Sequence, residues 1–355
     1  MSNLFEPFRL RGVEFRNRVF LSPMCQYSAR SGFPGAWHAV HYGARATGGV
    51  GLLMVEATAV EPEGRITPFD LGLWSDDQGR ALEPLARFAR EQGAVPGIQL
   101  AHSGRKGSCD APWRGGLQLV EAEAGWQTVG PSALPFRPGE RPPRELAPEE
   151  LDRLGGLFEQ GASRALAAGF QVVEIHMAHG YLLHEFLSPL SNRRVDGWGG
   201  SWDNRARFPL EIVRAVRAAW PPELPVFVRL SATDWVEGGW DLPESIRLAE
   251  ALRDLGVDLV DCSSAGLVHD ARVPDAPGFQ VPFAEAVRRG AGVATGAVGR
   301  ITGAAQAQEI VASGRADAVS LGRELLRSPS WPLQAARELG ADVPWPDQYL
   351  RAKLG

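Results

Sequence analysis

His176, His179 and His184 are three of the chain's seven histidines, and Tyr181 stands among them. Imidazole and phenol groups this close together can donate hydrogen bonds to a substrate oxygen and move protons near neutral pH. Phe170–His176 leads into them as an apolar, β-branched run bounded by Gly169, which reads as a buried parallel strand. Alternation puts Val172, Glu174 and His176 on one side of it and Val173 and Ile175 on the other. The cluster therefore falls at or just past a strand's carboxyl end, where α/β folds bind ligands. The i, i+3 spacing of His176 and His179 also suits a metal, but Cys and acidic residues are not placed to complete a ligand set, so no metal is assigned.

Something must hold that strand end. Seven other apolar runs read as strands: Val19–Met24, Leu52–Ala57, Val95–Leu100, Val226–Leu230, Leu259–Cys262, Val293–Thr295 and Ala318–Leu321. A helix-like segment ending in Gly precedes several of them, at Gly48-Gly49, Gly93, Gly169, Gly256 and Gly314, as a left-handed helix terminus requires. Pro148 with Glu149 and Glu150 marks a helix start, and Leu151, Leu154, Phe158, Ala162 and Ala165 follow at helical spacing. Eight β-α units over 355 residues predict an α/β fold, a closed (β/α)8 TIM barrel forming a single domain, 1–355. An open doubly wound sheet is the alternative, weakened because no Gly-x-Gly-x-x-Gly follows the first strand. Ser103–Ala147, rich in Gly, Pro and Trp, reads as a long capping loop after strand three.

Composition narrows the function classes. Lys plus Arg number 37 against 42 Asp plus Glu, a net charge of −5, which argues against a nucleic-acid or anionic-membrane surface. Cys25, Cys109 and Cys262 form no paired spacing, so a disulfide framework is not expected and the cytoplasm is the default location. The N-terminus lacks the pattern of a signal peptide, and no apolar run reaches membrane-spanning length.

The other strand ends add chemistry. Arg229, in an apolar strand, needs an anion or an acceptor; Glu174 or a bound ligand would serve. Strands seven and eight end in Thr295-Gly296-Ala-Val-Gly299-Arg300 and Gly322-Arg323-Glu324, and two Gly-plus-Arg turns at these positions suit a phosphate. Cys25 has three readings: inert packing, a nucleophile with no assigned base, or a thiol touching a cofactor.

The chain resembles the Old Yellow Enzyme family, in its bacterial class with Cys beside the flavin, nearly end to end. The matching motifs include Ser22-Pro-Met-Cys25-Gln-Tyr27, Gln99-Leu-Ala-His-Ser-Gly-Arg-Lys106, Glu174-Ile-His-Met-Ala-His-Gly-Tyr181 and Gly322-Arg-Glu-Leu-Leu326. The cap, with Pro112-Trp113 and Gly125-Trp126, looks most like the xenobiotic reductases. The resemblance implies FMN, contacted by Ser22, Pro23, Met24, Cys25, Ala57, Gln99, Arg229, Gly296, Gly322 and Arg323. It implies NADPH or NADH as reductant, and enone substrates or phenolic ligands. His176 and His179 would hold the substrate oxygen, Tyr181 would give the proton, Tyr27 would touch the substrate, and Cys25 would tune the flavin. Arg351, in Tyr349-Leu-Arg351 of an extended C-terminal tail, would reach a neighbouring subunit's site in a homodimer or homotetramer. A flavin-binding redox sensor using Cys25 and another FMN barrel dehydrogenase remain as alternatives. A cofactor-free lyase would need a Schiff-base Lys at a strand end, and none of the eight has one.

Overall fold

A computed structural model describes residues 3–353 of the protein; Met1, Ser2, Leu354 and Gly355, inside the expected 1–355 span, lie outside the described residues. Eight strands close into a parallel barrel: Val19–Leu21, Leu52–Ala59, Val95–Ala101, Val172–Met177, Val226–Ser231, Leu259–Ser263, Ala294–Ala297 and Ala318–Leu321. The eighth pairs with the first, so no edge is left open. Each of the eight expected runs forms a barrel strand, with ends displaced by a few residues. The first stops at Leu21 because Pro23 has no N–H to give a ladder. The fourth starts at Val172 because Gly169, at φ +86°, and Phe170 are still turning out of the preceding helix.

That helix, Pro148–Ala167, starts on its proline and buries Leu151, Leu154, Phe158, Ala162 and Ala165 against the barrel. Its start is closed by Glu150, whose carboxylate accepts the Ala147 N–H at 2.9 Å.

The barrel interior is layered, because residues two apart along a strand share a face. At the bottom, Val172, Phe227, Leu259 and Ala318 pack with Phe20, Leu52 and Val95 in one apolar cluster. An N-terminal hairpin, Phe8–Leu10 with Val13–Phe15, plugs this end, and the Phe15 ring lies 5.1 Å from that of Phe20. Two residues further up the same four strands are Glu174, Arg229, Asp261 and Ser320, all buried. Two more bring His176, Ser231, Ser263 and Gly322 to the carboxyl end. Over that end lies the segment between Ala101 and Pro148. It consists of single 3-10 turns and a two-residue ladder, Val129–Gly130 with Arg144–Glu145.

Candidate active site

The fourth strand delivers His176, and the turn after it delivers His179 and Tyr181. The His176 ring centroid is 5.2 Å from that of His179 and 5.0 Å from that of Tyr181, edge to face in both cases. Both imidazoles are held neutral near pH 7: burial pushes each pKa well down, and the nearby Arg229 charge adds to it. A neutral imidazole carries one proton. His176 Nδ1 accepts the Ala178 N–H at 3.3 Å, so its proton sits on Nε2, which has no protein partner among the described residues. His179 Nε2 meets Ser263 Oγ at 2.8 Å, leaving Nδ1 without one. Burial pushes the Tyr181 phenol well above its ordinary range, so it keeps its proton at neutral pH.

His179 has φ +61° and Tyr27 φ +47°, a left-handed conformation costly for side chains of this size. His184 helps to hold the turn. Its Nδ1 accepts the Gly180 N–H at 2.9 Å, and its Nε2 lies 2.9 Å from Asp234. The histidine cluster thus divides into two rings facing the mouth and one buried brace.

Arg229 is buried in the middle layer. Its ion partner is Asp261 (Nε to Oδ2, 3.3 Å) and not Glu174, one of the two candidates from the sequence, which accepts from Gln99 Nε2 at 2.7 Å. Burial and the Asp261 charge push the Glu174 carboxyl up to about 8. Arg229 has five N–H donors but makes one long hydrogen bond, 3.5 Å to the Pro23 carbonyl. A buried guanidinium so poorly satisfied suits a flat ligand rich in acceptors. Beside the seventh and eighth strands, a cavity of about 460 Å³ is lined by Val298, Gly299, Arg300, Gly322 and Arg323. Arg300 is taken by Asp275, whereas no carboxylate lies within ion-pair distance of Arg323 among the described residues. Gly296 sits inside the seventh strand, where an added Cβ would meet Asp261 Oδ1 at 3.1 Å, and it is not part of that lining.

The segment after the first strand carries Ser22, Pro23, Met24, Cys25 and Tyr27. Met24 Sδ comes within 3.4 Å of a Cβ built on Gly322, joining this segment to the phosphate-sized cavity. The second strand shifts register between Val55 and Ala57, and Glu56 at that bulge accepts the Gln26 N–H at 2.5 Å. Burial pushes the Cys25 thiol well up, and the Asp70 and Glu56 charges add to this. A thiol so protected from ionisation is a poor nucleophile, which leaves the inert-packing and cofactor-contact readings. Tyr27 meets Trp113 of the cap edge-on at 5.7 Å.

Arg351 is exposed, on a 3-10 turn spanning Asp347–Ala352, and among the described residues no hydrogen bond or ion pair joins it to the mouth. Sequence reasoning missed Ser263 and Lys106 as site residues. Each acts across more than seventy residues of chain, on His179 Nε2 and on the His179 carbonyl respectively.

Glu185 sits just past Tyr181, fully buried, and burial pushes its carboxyl up to about 8. The native chain therefore holds this proton more tightly than the unfolded chain. Its contribution to stability is complete at acid pH and is lost as pH rises toward about 8. Glu185→Gln should match wild type in melting temperature below the ordinary carboxyl range and exceed it increasingly as pH rises toward about 8, the excess levelling off above that. Parallel melting curves across that range would show that Glu185 does not titrate in the fold.

Comparison with known proteins fits this site. The NADH:flavin oxidoreductase / NADH oxidase family matches residues 3–342. The NADPH dehydrogenase of Geobacillus thermodenitrificans (strain NG80-2) is 48% identical over 350 residues, covering 98% of each chain. Among solved structures, morphinone reductase in complex with tetrahydroNAD superposes with a TM-score of 0.79 at 30% identity, over 98% of this chain and 93% of its own. The old yellow enzyme homologue from Zymomonas mobilis gives 0.79 at 28% identity, over 97% and 94%.

Proposed function

The chain belongs to the NADH:flavin oxidoreductase / NADH oxidase family, and from that membership we propose that it reduces the activated C=C bond of α,β-unsaturated carbonyl compounds with NADPH. It is an FMN-dependent NAD(P)H oxidoreductase of the Old Yellow Enzyme kind. The observation that carries the finer reading is the pair of neutral imidazoles, His176 and His179, with the Tyr181 phenol packed edge-on against His176.

FMN, when bound, would supply the hydride chemistry that links NADPH to the substrate Cβ. His176 and His179 donate to the substrate oxygen, where negative charge grows as hydride arrives. Tyr181 gives its proton to Cα, since a phenol carries its proton throughout the neutral range. Phenols bind the same pair, since a phenolate oxygen imitates the enolate. Tyr27 packs on the substrate from the cap side. Arg229 and Gln99 would hold the isoalloxazine together with Ser22, Pro23, Met24, Ala57 and Gly296, and Gly322 and Arg323 would hold the phosphate.

The test is direct. The purified protein should be yellow, its heat-released cofactor should run as FMN on chromatography, and it should consume NADPH with 2-cyclohexenone above its oxidase background. FAD in place of FMN, or no enone turnover, would overturn the reading.

Cys25 tunes the flavin in this scheme. Cys25→Ala should shift the flavin midpoint potential and change both half-reaction rates while turnover persists. Loss of both half-reactions in a folded, flavin-loaded variant would contradict that role.

We also propose that the tail completes a neighbour's site in a homodimer or homotetramer. Tyr349 lines a groove of about 550 Å³ between the helices Ala36–Thr47 and Asp76–Glu91. Trp37 and Val40 of the first of these helices are exposed beside it, 58% and 70%. Such apolar surface is suited to a second copy of the chain. Truncation before Tyr349 should raise KM for the enone while the flavin stays bound, and light scattering on the full chain should show an oligomer. A fully active monomer after truncation would end the idea.

A further inference from the structure

We propose that Lys106 is a positioning residue for the proton-transfer step: its ammonium locks the turn that carries His179 and Tyr181, and it supports the negative charge left on Tyr181 when that ring gives up its proton. The proposal rests on Tyr181 being the proton donor.

Two loops of the barrel mouth touch here backbone to backbone. A Cβ on Gly180 would meet the Gly266 carbonyl oxygen at 2.2 Å, and one on Gly266 would meet His179 Cα at 2.5 Å. Only glycine fits at either position, so neither residue can itself carry a side chain to tie the loops. Ser231 ties them once, accepting the His179 N–H and donating to the Ala265 carbonyl, and Lys106, arriving from the loop after the third strand, ties them a second time. Its Nζ donates to the His179 carbonyl at 2.7 Å and to the Gly266 carbonyl at 2.8 Å. The His179 N–H donates to Ser231 Oγ at 2.9 Å and the Gly180 N–H to His184, so the left-handed turn is gripped on every side.

Positioning alone would not need a charge. Yet no carboxylate lies within ion-pair distance of Nζ among the described residues, and the cation instead lies 5.1 Å from the Tyr181 ring centroid and 4.5 Å from that of Phe136. Arg105, Arg137, Glu185 and Cys109 surround it further out, with His176, His179 and Tyr181 on the turn side. Glu185 stays protonated at neutral pH and cancels none of the charge. Burial, with the Arg105 charge, brings Lys106 down to about 8. In the step itself, the electron pair of the enolate forms the Cα–H bond with the phenol proton. The O–H pair stays on the Tyr181 oxygen, and water returns the proton afterwards. A cation on the ring face lowers the energy of that phenolate.

The experiment mixes chemically reduced holoenzyme with 2-cyclohexenone in a stopped flow, across the pH range on either side of the lysine's pKa of about 8. The wild-type rate should fall along an alkaline limb near that value. Lys106→Arg, which keeps its charge, should move the limb upward, and Glu185→Gln should keep a limb but move it downward, because the Glu185 carboxylate raises the lysine's pKa. Lys106→Met should lose the limb and run about tenfold slower, with kcat changed more than KM. Calorimetric binding of 4-hydroxybenzaldehyde, which needs His179 in place, should weaken in Lys106→Met and hold in Lys106→Arg. A limb unmoved in Lys106→Arg, or wild-type rate in Lys106→Met, overturns the proposal; unchanged phenol affinity in Lys106→Met overturns the positioning of His179. If Lys106→Met does not fold, the Lys106→Arg limb decides. Tyr181→Phe separates the two levels: if it retains the wild-type rate, Tyr181 is not the donor, whereas if it is slow and both Lys106 variants behave as wild type, only this inference fails.

Discussion

His176→Ala and His179→Ala should each slow oxidation of the reduced enzyme by an enone about 10²–10³-fold, the usual loss for one donor to a developing oxyanion. The two rings are held by different partners, so the effects arise separately. His176 owes its free Nε2 proton to the Ala178 N–H on its other nitrogen, whereas His179 is set by Ser263 and by its left-handed turn. FMN should remain bound in both variants, because neither ring belongs to the Arg229 layer or to the cavity at Gly322 and Arg323. Single-turnover kinetics with 2-cyclohexenone measure the loss, and titration with a phenol gives an independent reading through weakened affinity. Unchanged phenol affinity in both variants would place the oxygen site elsewhere.

Arg229→Met should cost about 3–5 kcal/mol of folding stability, the range for removing one partner of a buried ion pair, and should release the flavin on gel filtration. Methionine fills much of the volume, so lost charge dominates the effect. Asp261 and Glu174 would then face each other in a closed layer with no cation between them. Their carboxyls already titrate high, chiefly through burial, and Arg229 is what holds them down. Without it both must stay protonated to remain buried, so the loss should be larger at alkaline than at mildly acid pH. Urea unfolding at the two pH values checks this. Wild-type stability with full flavin content would show that the middle layer does not depend on its cation.

The barrel was legible in the sequence because its strands are buried on both faces and read as continuous apolar runs. Glycine marked the helix ends, and Gly93, Gly169, Gly256 and Gly314 all have positive φ. His176, His179 and Tyr181 were legible together because one strand end and one turn carry all three, so their proximity is local. The N-terminal hairpin was not legible, since its three-residue strands are too short to show a period. Nor were the polar partnerships. The strands of Glu174 and Asp261 both flank that of Arg229, so the choice rests on register, which sets Arg229 opposite Asp261 on one side and His176 on the other, and only the paired sheet decides that. The grip of Lys106 on His179 and the bond from Ser263 to the same ring likewise join loops that the chain keeps far apart. A sequence specifies which residues can donate, accept or carry charge. The buried environments that push the His176 and His179 imidazoles well down and the Tyr181 phenol well up arise only when the strands close and the cap excludes water.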